Sequence, residues 1–229
     1  RGQKSVNSIW NNKFSVLFGD FLFSKSFQLM TKANSLKAMA SLSQVSSKIS
    51  EGEFMQLTHE NNIHITESEY IKIITLKTAE LFAAAMKIPA ILTSKNSKTI
   101  SNLNKLGLYF GIIFQIMDDY LDYFGNRVTG KKNGKDFYEG KITLPIILLL
   151  KKAADNEINF IKKIFSKEKR IKKDYVKVMI LMKKYKINDD IKKFCNKYDK
   201  KSRKLLTVFK GYQKELFLNL LINSINRTH

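Results

Sequence analysis

Helical periodicity is the feature that most constrains the fold of this chain. The apolar residues follow a helical period through most of the 229 residues, and only two prolines interrupt it, Pro89 and Pro145. So few helix breakers argue against a protein of strands and tight turns. We therefore expect one all-α domain over 1–229, in which amphipathic helices form a bundle.

Capping residues predict where several helices begin and end. Thr66 and Glu69 have the spacing of a capping box, and the helix that they open is expected to run through residue 87 and to end or kink at Pro89. Gly125 is suited to the position after a helix end. A loop is predicted over 125–141. Helices are predicted over 12–30, 35–57, 66–87, 97–124, 157–165, 172–185 and 189–225, and a further helix is predicted to begin at about residue 144.

Composition excludes several classes of protein. The single cysteine, Cys195, rules out an internal disulfide framework and a cysteine-based zinc site, and only three histidines are present. Apolar runs such as 144–150 are far shorter than the roughly 20 residues that a membrane span needs. The chain begins with Arg and carries no signal peptide, so we expect a cytoplasmic protein that is cut from a longer one.

The formal net charge of +21 is concentrated in residues 131–229, which hold 27 basic and 10 acidic residues. Such an excess can attract nucleic acid, anionic lipid or phosphorylated substrates. However, Lys outnumbers Arg 36 to 5, although Arg is the better phosphate ligand. We interpret most of this charge, including the basic stretch 167–173, as solvated helix surface, and we expect no nucleic-acid partner.

The segment 111–125 carries the most chemical information. Its aspartates Asp118, Asp119 and Asp122 lie together in the last turns of a predicted helix. The negative end of the helix dipole and the repulsion between like charges disfavour three carboxylates there, and a bound cation would stabilise them. Ligands that are all oxygen favour Mg²⁺, which often bridges carboxylates to substrate phosphates. The alternative is an ordinary acidic cluster on the surface.

A basic, glycine-rich loop follows this acidic helix end directly. Its lysines could neutralise phosphate oxygens beside a carboxylate-bound metal, and its glycines allow a close approach of the backbone. The alternative for the lysines is solvated charge. Together the acidic helix end and this loop favour a diphosphate site. The lysines and glycines concerned are Lys131, Lys132, Lys135, Lys141, Gly130, Gly134 and Gly140.

The strings FQIMDDYLDYFG and KDFYEGKITLP resemble the second aspartate-rich region of trans-isoprenyl diphosphate synthases, the polyprenyl synthetase family. The segments 1–30, 51–57 (EGEFMQL) and 77–82 (KTAELF) also resemble the family, in the same order and at suitable spacing. The resemblance covers essentially the whole chain. It implies an isoprenoid-synthase-type helical bundle around a central cavity, and a homodimer.

The resemblance also implies an activity. The reaction would be the head-to-tail 1′-4 condensation of isopentenyl diphosphate with an allylic prenyl diphosphate, with Mg²⁺ as the cofactor. The segments SVNSIW and DFYEGKITLP are most similar to the long-chain octaprenyl and decaprenyl branch of the family, which makes quinone side chains. Contact with a membrane would be at most peripheral, through the lipid product.

Individual residues receive roles from the same resemblance. The metal ligands would be Asp118, Asp119 and Asp122. The catalytic residues would be Lys77 and Thr78, which would contact diphosphate and steady the developing carbocation, and Gln115, which is similar to the family's active-site Gln. The substrate-binding residues would be Arg1, Lys131, Asp136 and Lys141, of which Arg1 would bind isopentenyl diphosphate.

The sequence departs from the family at its beginning. A Gly-Lys-Arg segment and a first DDxxD cluster precede the Arg-Gly of family members, and neither occurs in 1–229, where Asp189 and Asp190 lack a third aspartate. We therefore expect a domain without its N-terminal helices and with little or no prenyltransferase activity of its own. The alternatives are a non-catalytic subunit of a heteromeric prenyl diphosphate synthase and a basic helical protein that binds nucleic acid or membranes.

Overall fold

The computed structural model describes residues 6–125, 133–207 and 209–226. All regular secondary structure within these ranges is helical, which confirms the all-α prediction. One short segment, Thr75–Ala79, is a π-helix. The α-helices are α1 (Val6–Ile9), α2 (Asn12–Lys32), α3 (Leu36–Thr58), α4 (Glu67–Ile74), α5 (Glu80–Leu92), α6 (Ser97–Phe124), α7 (Lys135–Glu139), α8 (Leu144–Lys152), α9 (Asp155–Phe165), α10 (Lys172–Lys184), α11 (Ile187–Leu206) and α12 (Gly211–Ile225).

Side-chain caps determine several helix starts. Asn11 caps α2 and Ser35 caps α3, each by accepting a backbone N–H from the first turn. The predicted capping box is confirmed, because Thr66 N–H donates to Glu69 Oε2 at 2.7 Å and Glu69 N–H donates to Thr66 Oγ1 at 3.2 Å. These reciprocal bonds satisfy backbone donors that have no partner inside α4.

Three local predictions are corrected. Helix α5 continues past Pro89 to Leu92, because a proline near the end of a helix removes only one backbone bond from it. The predicted loop over 125–141 contains the short helix α7. The predicted single helix over 189–225 is wrong, since α11 ends at Leu206 and α12 begins at Gly211, whose φ of 56° lies in the left-handed region.

Helix α6 lies at the centre of the hydrophobic core and packs against α5 and α11. Ile113 and Ile116 of α6 are fully buried, as are Ile191 and Cys195 of α11. Burial raises the pKa of the Cys195 thiol to about 12, so this cysteine behaves as a small apolar residue. The core therefore holds the end of α6, with its aspartates, in a fixed position.

Helix α2 differs from the other long helices because none of its residues is buried. Apolar side chains nevertheless make up much of its length. None of the described helices contains a stretch that is long and apolar enough to cross a membrane. The large apolar side chains that α2 exposes are Phe14, Val16, Leu17, Phe18, Phe21, Leu22, Phe23, Phe27 and Leu29.

Candidate active site

The C-terminal end of α6 carries the predicted acidic cluster, and its aspartates have different surroundings. Asp119 is only 3% exposed, whereas Asp118 is half-buried. Gly125 follows the helix as predicted, but its backbone is extended, with φ −67° and ψ 148°, instead of left-handed. The chain therefore leaves the helix end in an extended direction.

Asp119 lies at the centre of a hydrogen-bonded network. Tyr70 Oη donates to its Oδ2 at 2.6 Å, and Gln115 Nε2 donates to its Oδ1 at 2.8 Å. Thr78 Oγ1 in turn donates to Gln115 Oε1 at 2.8 Å. The network connects α4, the π-helix and α6, and it brings together three predicted site residues: Thr78, Gln115 and Asp119.

Lys77 and Thr78 lie in the π-helix Thr75–Ala79. The ammonium group of Lys77 donates to the side-chain oxygen of Gln56 on α3. Helix α3 passes so close that a Cβ atom at Gly52 would lie 2.5 Å from the backbone nitrogen of Lys77. A π-helix inside longer helical structure is frequently associated with functional sites, and this one sets the direction of two predicted catalytic residues.

Asp122 binds the segment that follows it. The backbone N–H groups of Lys135 and Asp136 donate to its two carboxylate oxygens, each at 3.0 Å. Its backbone oxygen also accepts the N–H of Gly134 at 2.7 Å. Asp122 thus fixes the N-terminal end of α7 against the end of α6.

Asp136 and Lys141 lie on either side of the turn that ends α7. The Lys141 ammonium is 3.9 Å from Asp136 Oδ1 and 2.7 Å from Glu139 Oε2. Burial lowers the pKa of Lys141, but its hydrogen bond to Glu139 and the charge of Asp136 outweigh burial and raise that pKa overall. Lys141 therefore stays positively charged beside the carboxylates.

Burial and mutual repulsion disfavour the ionised form of the carboxyl groups in this region. Burial, together with the nearby Asp136 carboxylate, raises the pKa of Asp119 to about 7. Burial and Asp136 likewise raise the pKa of Asp122 to about 6, and burial raises the pKa of Asp136. A cation would lower the cost of ionising these buried carboxylates.

The predicted magnesium ion is compatible with the chemistry of these residues. The donors are all oxygen, and the crowding of carboxylates that raises their pKa values is of the kind that a divalent cation relieves. Within the described ranges, no group of three or more His, Cys, Asp or Glu side chains is arranged to hold a metal ion. Because Asp119 is only 3% exposed, whereas Asp118 and Asp122 are half-buried, Asp118 and Asp122 are the better candidates as ligands. Substrate oxygens would then complete the coordination.

Two predicted substrate-binding residues, Arg1 and Lys131, lie outside the described residues. Sequence reasoning also missed two residues of the site: Tyr70, which belongs to the network, and Gln56, which binds Lys77. Tyr70 lies one helical turn after the capping residue Thr66, and no local pattern separates it from a core tyrosine. Gln56 lies within EGEFMQL, whose resemblance to the family was noted, but its contact with Lys77 depends on the packing of two helices.

A family model described as "Polyprenyl synthetase" matches residues 1–182. The chain belongs to the polyprenyl synthetase family. This agrees with the resemblance found in the sequence and with the isoprenoid-synthase-type fold that it implied. Membership rests on most of the chain and is independent of any one motif.

Curated relatives include long-chain and shorter-chain synthases. Octaprenyl diphosphate synthase of Escherichia coli (strain K12) is 40% identical over 148 residues, which is 64% of this chain and 46% of that protein. Geranylgeranyl diphosphate synthase of Methanosarcina mazei is 36% identical over 164 residues, which is 69% of this chain and 51% of that protein. The chain thus spans about half the length of the curated relatives that it matches.

Two solved structures of the family match over the entire chain. Polyprenyl synthase from Caulobacter crescentus, complexed with calcium and isoprenyl diphosphate, has a TM-score of 0.94 at 33% identity, with 100% of this chain and 70% of that chain covered. Decaprenyl diphosphate synthase from Rhodobacter capsulatus has a TM-score of 0.90 at 34% identity, with coverages of 100% and 71%. The helices beyond residue 182 therefore also follow the family fold.

Proposed function

We propose that this protein is a trans-prenyltransferase that condenses isopentenyl diphosphate with an allylic prenyl diphosphate. The observation that carries the proposal is the hydrogen-bonded network that joins Thr78, Gln115 and Asp119, with Asp122 holding the Asp136 segment beside it. The charge of Lys77 acts on Asp119 and Asp136, and that of Lys141 acts on Asp136. Carboxylates and lysines of the kind that a metal-bound diphosphate would require therefore lie in one region. Membership of the family supports the same chemistry.

The reaction breaks one bond and forms another. The bond between C1 of the allylic substrate and its diphosphate oxygen breaks, and the diphosphate leaves with the electron pair. The double bond of isopentenyl diphosphate then attacks C1 of the allylic substrate, so that a bond forms between this C1 and C4 of isopentenyl diphosphate. A proton is then lost from C2 of the isopentenyl unit. No protein nucleophile is required.

The residues of the chain would contribute charge and orientation. Lys77 and Lys141 would bind the departing diphosphate, as Lys131 is predicted to do from the loop, and Thr78 would be oriented by its bond to Gln115. Asp118 and Asp122 would hold Mg²⁺, which when bound neutralises diphosphate oxygens. Asp119 would hold Gln115 in place and need not contact the metal itself.

The finer parts of the proposal concern product, location and assembly. We assign the protein to the long-chain branch that makes quinone side chains, and to the cytoplasm, as the resemblance implied. We also propose a homodimer, as the resemblance implied, and we assign its contact surface to the apolar side chains that α2 exposes. Sedimentation analysis would test this point, and we expect Leu17→Glu to convert a dimer into a monomer. A protein that is already monomeric without the substitution would contradict the proposal.

The direct test of the activity is incorporation of labelled isopentenyl diphosphate into a longer prenyl product, with farnesyl diphosphate as the primer and Mg²⁺ present. Binding of farnesyl diphosphate, measured by calorimetry with and without Mg²⁺, should accompany this assay, because we expect weak turnover from the 229-residue chain. Lys77→Met and Asp118→Ala should each weaken binding by about tenfold or more.

Glu168→Gln is the matched control, because Glu168 is an exposed carboxylate between α9 and α10 and is not a member of the network. It should leave binding unchanged. Binding that depends on Mg²⁺ but gives no product, even in the presence of the intact N-terminal part of a relative, would favour the non-catalytic subunit instead. Absence of both binding and turnover in the parent protein would overturn the proposal.

A further inference from the structure

Arg170 lies in the basic stretch 167–173 that the sequence predicts to be solvated surface, and the structure corrects this prediction. Only 9% of Arg170 is exposed, whereas Lys169 and Lys172 beside it are exposed. A buried arginine is costly unless its donors find partners. Its contacts therefore indicate what it does in the fold.

The guanidinium group of Arg170 joins three segments of the chain. One terminal nitrogen, Nη1, donates to the backbone oxygen of Tyr138 at 3.1 Å. The other, Nη2, donates to the side-chain oxygen of Asn61 and to the backbone oxygen of Phe165 at 3.4 Å. The group also lies 5.0 Å above the Phe165 ring. The two terminal nitrogens of a planar guanidinium group suit such convergent acceptors, and a lysine cannot reproduce this arrangement.

The turn that Arg170 contacts has almost no free space. Asn61 N–H donates to the backbone oxygen of Gly140 at 2.8 Å, and both residues have left-handed backbones, with φ of 60° for Asn61 and 80° for Gly140. A Cβ atom at Gly140 would clash with the Asn61 side chain and lie 3.0 Å from Arg170 Nη2. The end of α7 is thus packed directly against Asn61 and Arg170.

This turn separates Asp136 from Lys141, the two loop residues of the candidate site. Asp122 fixes the other end of the same segment through the N–H groups of Lys135 and Asp136. We propose that Arg170 is a positioning residue that, opposite Asp122, fixes segment 133–141 and so directs Asp136 and Lys141 toward the diphosphate. The role toward diphosphate rests on the proposed function, whereas the fixing of the segment does not.

Hydrogen exchange tests the fixing of the segment independently of any activity. In Arg170→Met, the backbone amides of Asn61 and Lys141, which donate within this turn, should exchange about tenfold faster or more. Amides in the middle of α11 should change less, and Arg170→Lys should recover only part of the protection. Arg203→Met is the matched control, since Arg203 is an exposed arginine that pairs with Asp199 on the same helix. Equal acceleration at every amide would overturn the proposal.

Binding of inorganic pyrophosphate with Mg²⁺ tests the consequence for the site. Arg170→Met should weaken this binding by about 10- to 100-fold at a temperature where the variant is fully folded, and Asn61→Gly should add little to that loss because it removes the same contact. Unchanged affinity in a folded Arg170→Met variant would overturn the positioning role. A parent protein that does not bind pyrophosphate would contradict the proposed function, and hydrogen exchange would still decide whether Arg170 fixes the segment.

Discussion

The Asp118–Asp119 pair on α6 and the Asp189–Asp190 pair on α11 have the same sequence but opposite surroundings. The first pair lies at the C-terminal end of its helix, where the dipole disfavours carboxylates, and burial raises the pKa of Asp119 to about 7. The second pair lies in the first turn of α11, where the dipole favours carboxylates. Asp190 also pairs with Lys152 and lies 3.7 Å from Lys193.

The difference teaches that two adjacent aspartates do not by themselves indicate a metal site. On α11 the negative charge is compensated by the helix end and by lysines, so that no further cation is required. On α6 the carboxylate of Asp119 accepts hydrogen bonds from neutral donors, Tyr70 and Gln115. Asp136 adds negative charge, and the charge of Lys77 offsets only part of the cost of burial. The pair on α6, whose buried member has a raised pKa, is the one that can gain from Mg²⁺.

Replacement of Asp119 should have the largest effect on stability. Burial raises its pKa from 3.8 to about 7 in the folded protein, so between these values the folded state holds a proton that the unfolded state has released. Ionisation of Asp119 therefore lowers the free energy of unfolding as the pH rises from 3.8 to about 7. Over this whole pH range the decrease is about 4 kcal/mol. Asp119→Asn should match the parent near about pH 4 and exceed it near about pH 8.

Urea unfolding, followed by circular dichroism without divalent cations, would measure this difference. Asp190→Asn is the control, and its difference from the parent should not grow as the pH rises. Parallel stability curves for Asp119→Asn and the unsubstituted protein would show that burial does not disfavour the ionisation of Asp119.

Removal of the Tyr70 hydroxyl should have the next largest effect. Tyr70→Phe leaves Asp119 Oδ2 buried without its donor, which should lower the free energy of unfolding by about 1–3 kcal/mol. The loss should be greater near about pH 8, because the hydroxyl stabilises the charged carboxylate. Tyr185→Phe removes a hydroxyl that bonds the half-buried Glu157 and should cost less. Equal losses in the two variants would contradict the distinction.

Ligand-dependent stability separates the two aspartate pairs directly. Mg²⁺ with pyrophosphate should raise the melting temperature of the parent, and Asp118→Asn should lose about tenfold in affinity, or about 1.4 kcal/mol of that stabilisation. Asp189→Asn should retain the full shift in a thermal-shift titration. If both variants lose it equally, the α6 pair has no special role in binding.

Neutralisation of Asp190 should have the smallest effect. Asp190→Asn removes the ion pairs with Lys152 and Lys193 and a favourable charge at the start of α11, which together should lower the free energy of unfolding by less than about 1 kcal/mol. The loss should shrink further in about 0.5 M salt, because salt screens partly exposed charges. A loss that is insensitive to salt would indicate that packing, and not charge, holds Asp190.

Local patterns were sufficient for much of the fold. The helical period predicted an all-α chain, the Thr66–Glu69 spacing predicted a capping box, and both are confirmed because they depend on residues within four positions of one another. The break between α11 and α12 was missed, because the periodicity of apolar residues does not reveal that a glycine has a left-handed backbone. The roles of Lys77, Thr78, Gln115 and the aspartates stay predictions from the resemblance.

The sequence by itself determined the residue types of the site and their order, since carboxylates four positions apart on a helix must lie together. Only the tertiary structure decided what each of them contacts. Tyr70 is 49 positions from Asp119, and Asn61 is 109 positions from Arg170. No helical period relates residues so far apart. Packing of distant helices therefore made one aspartate a buried acceptor, and it made one arginine of a lysine-rich stretch a buried contact of the α7 turn.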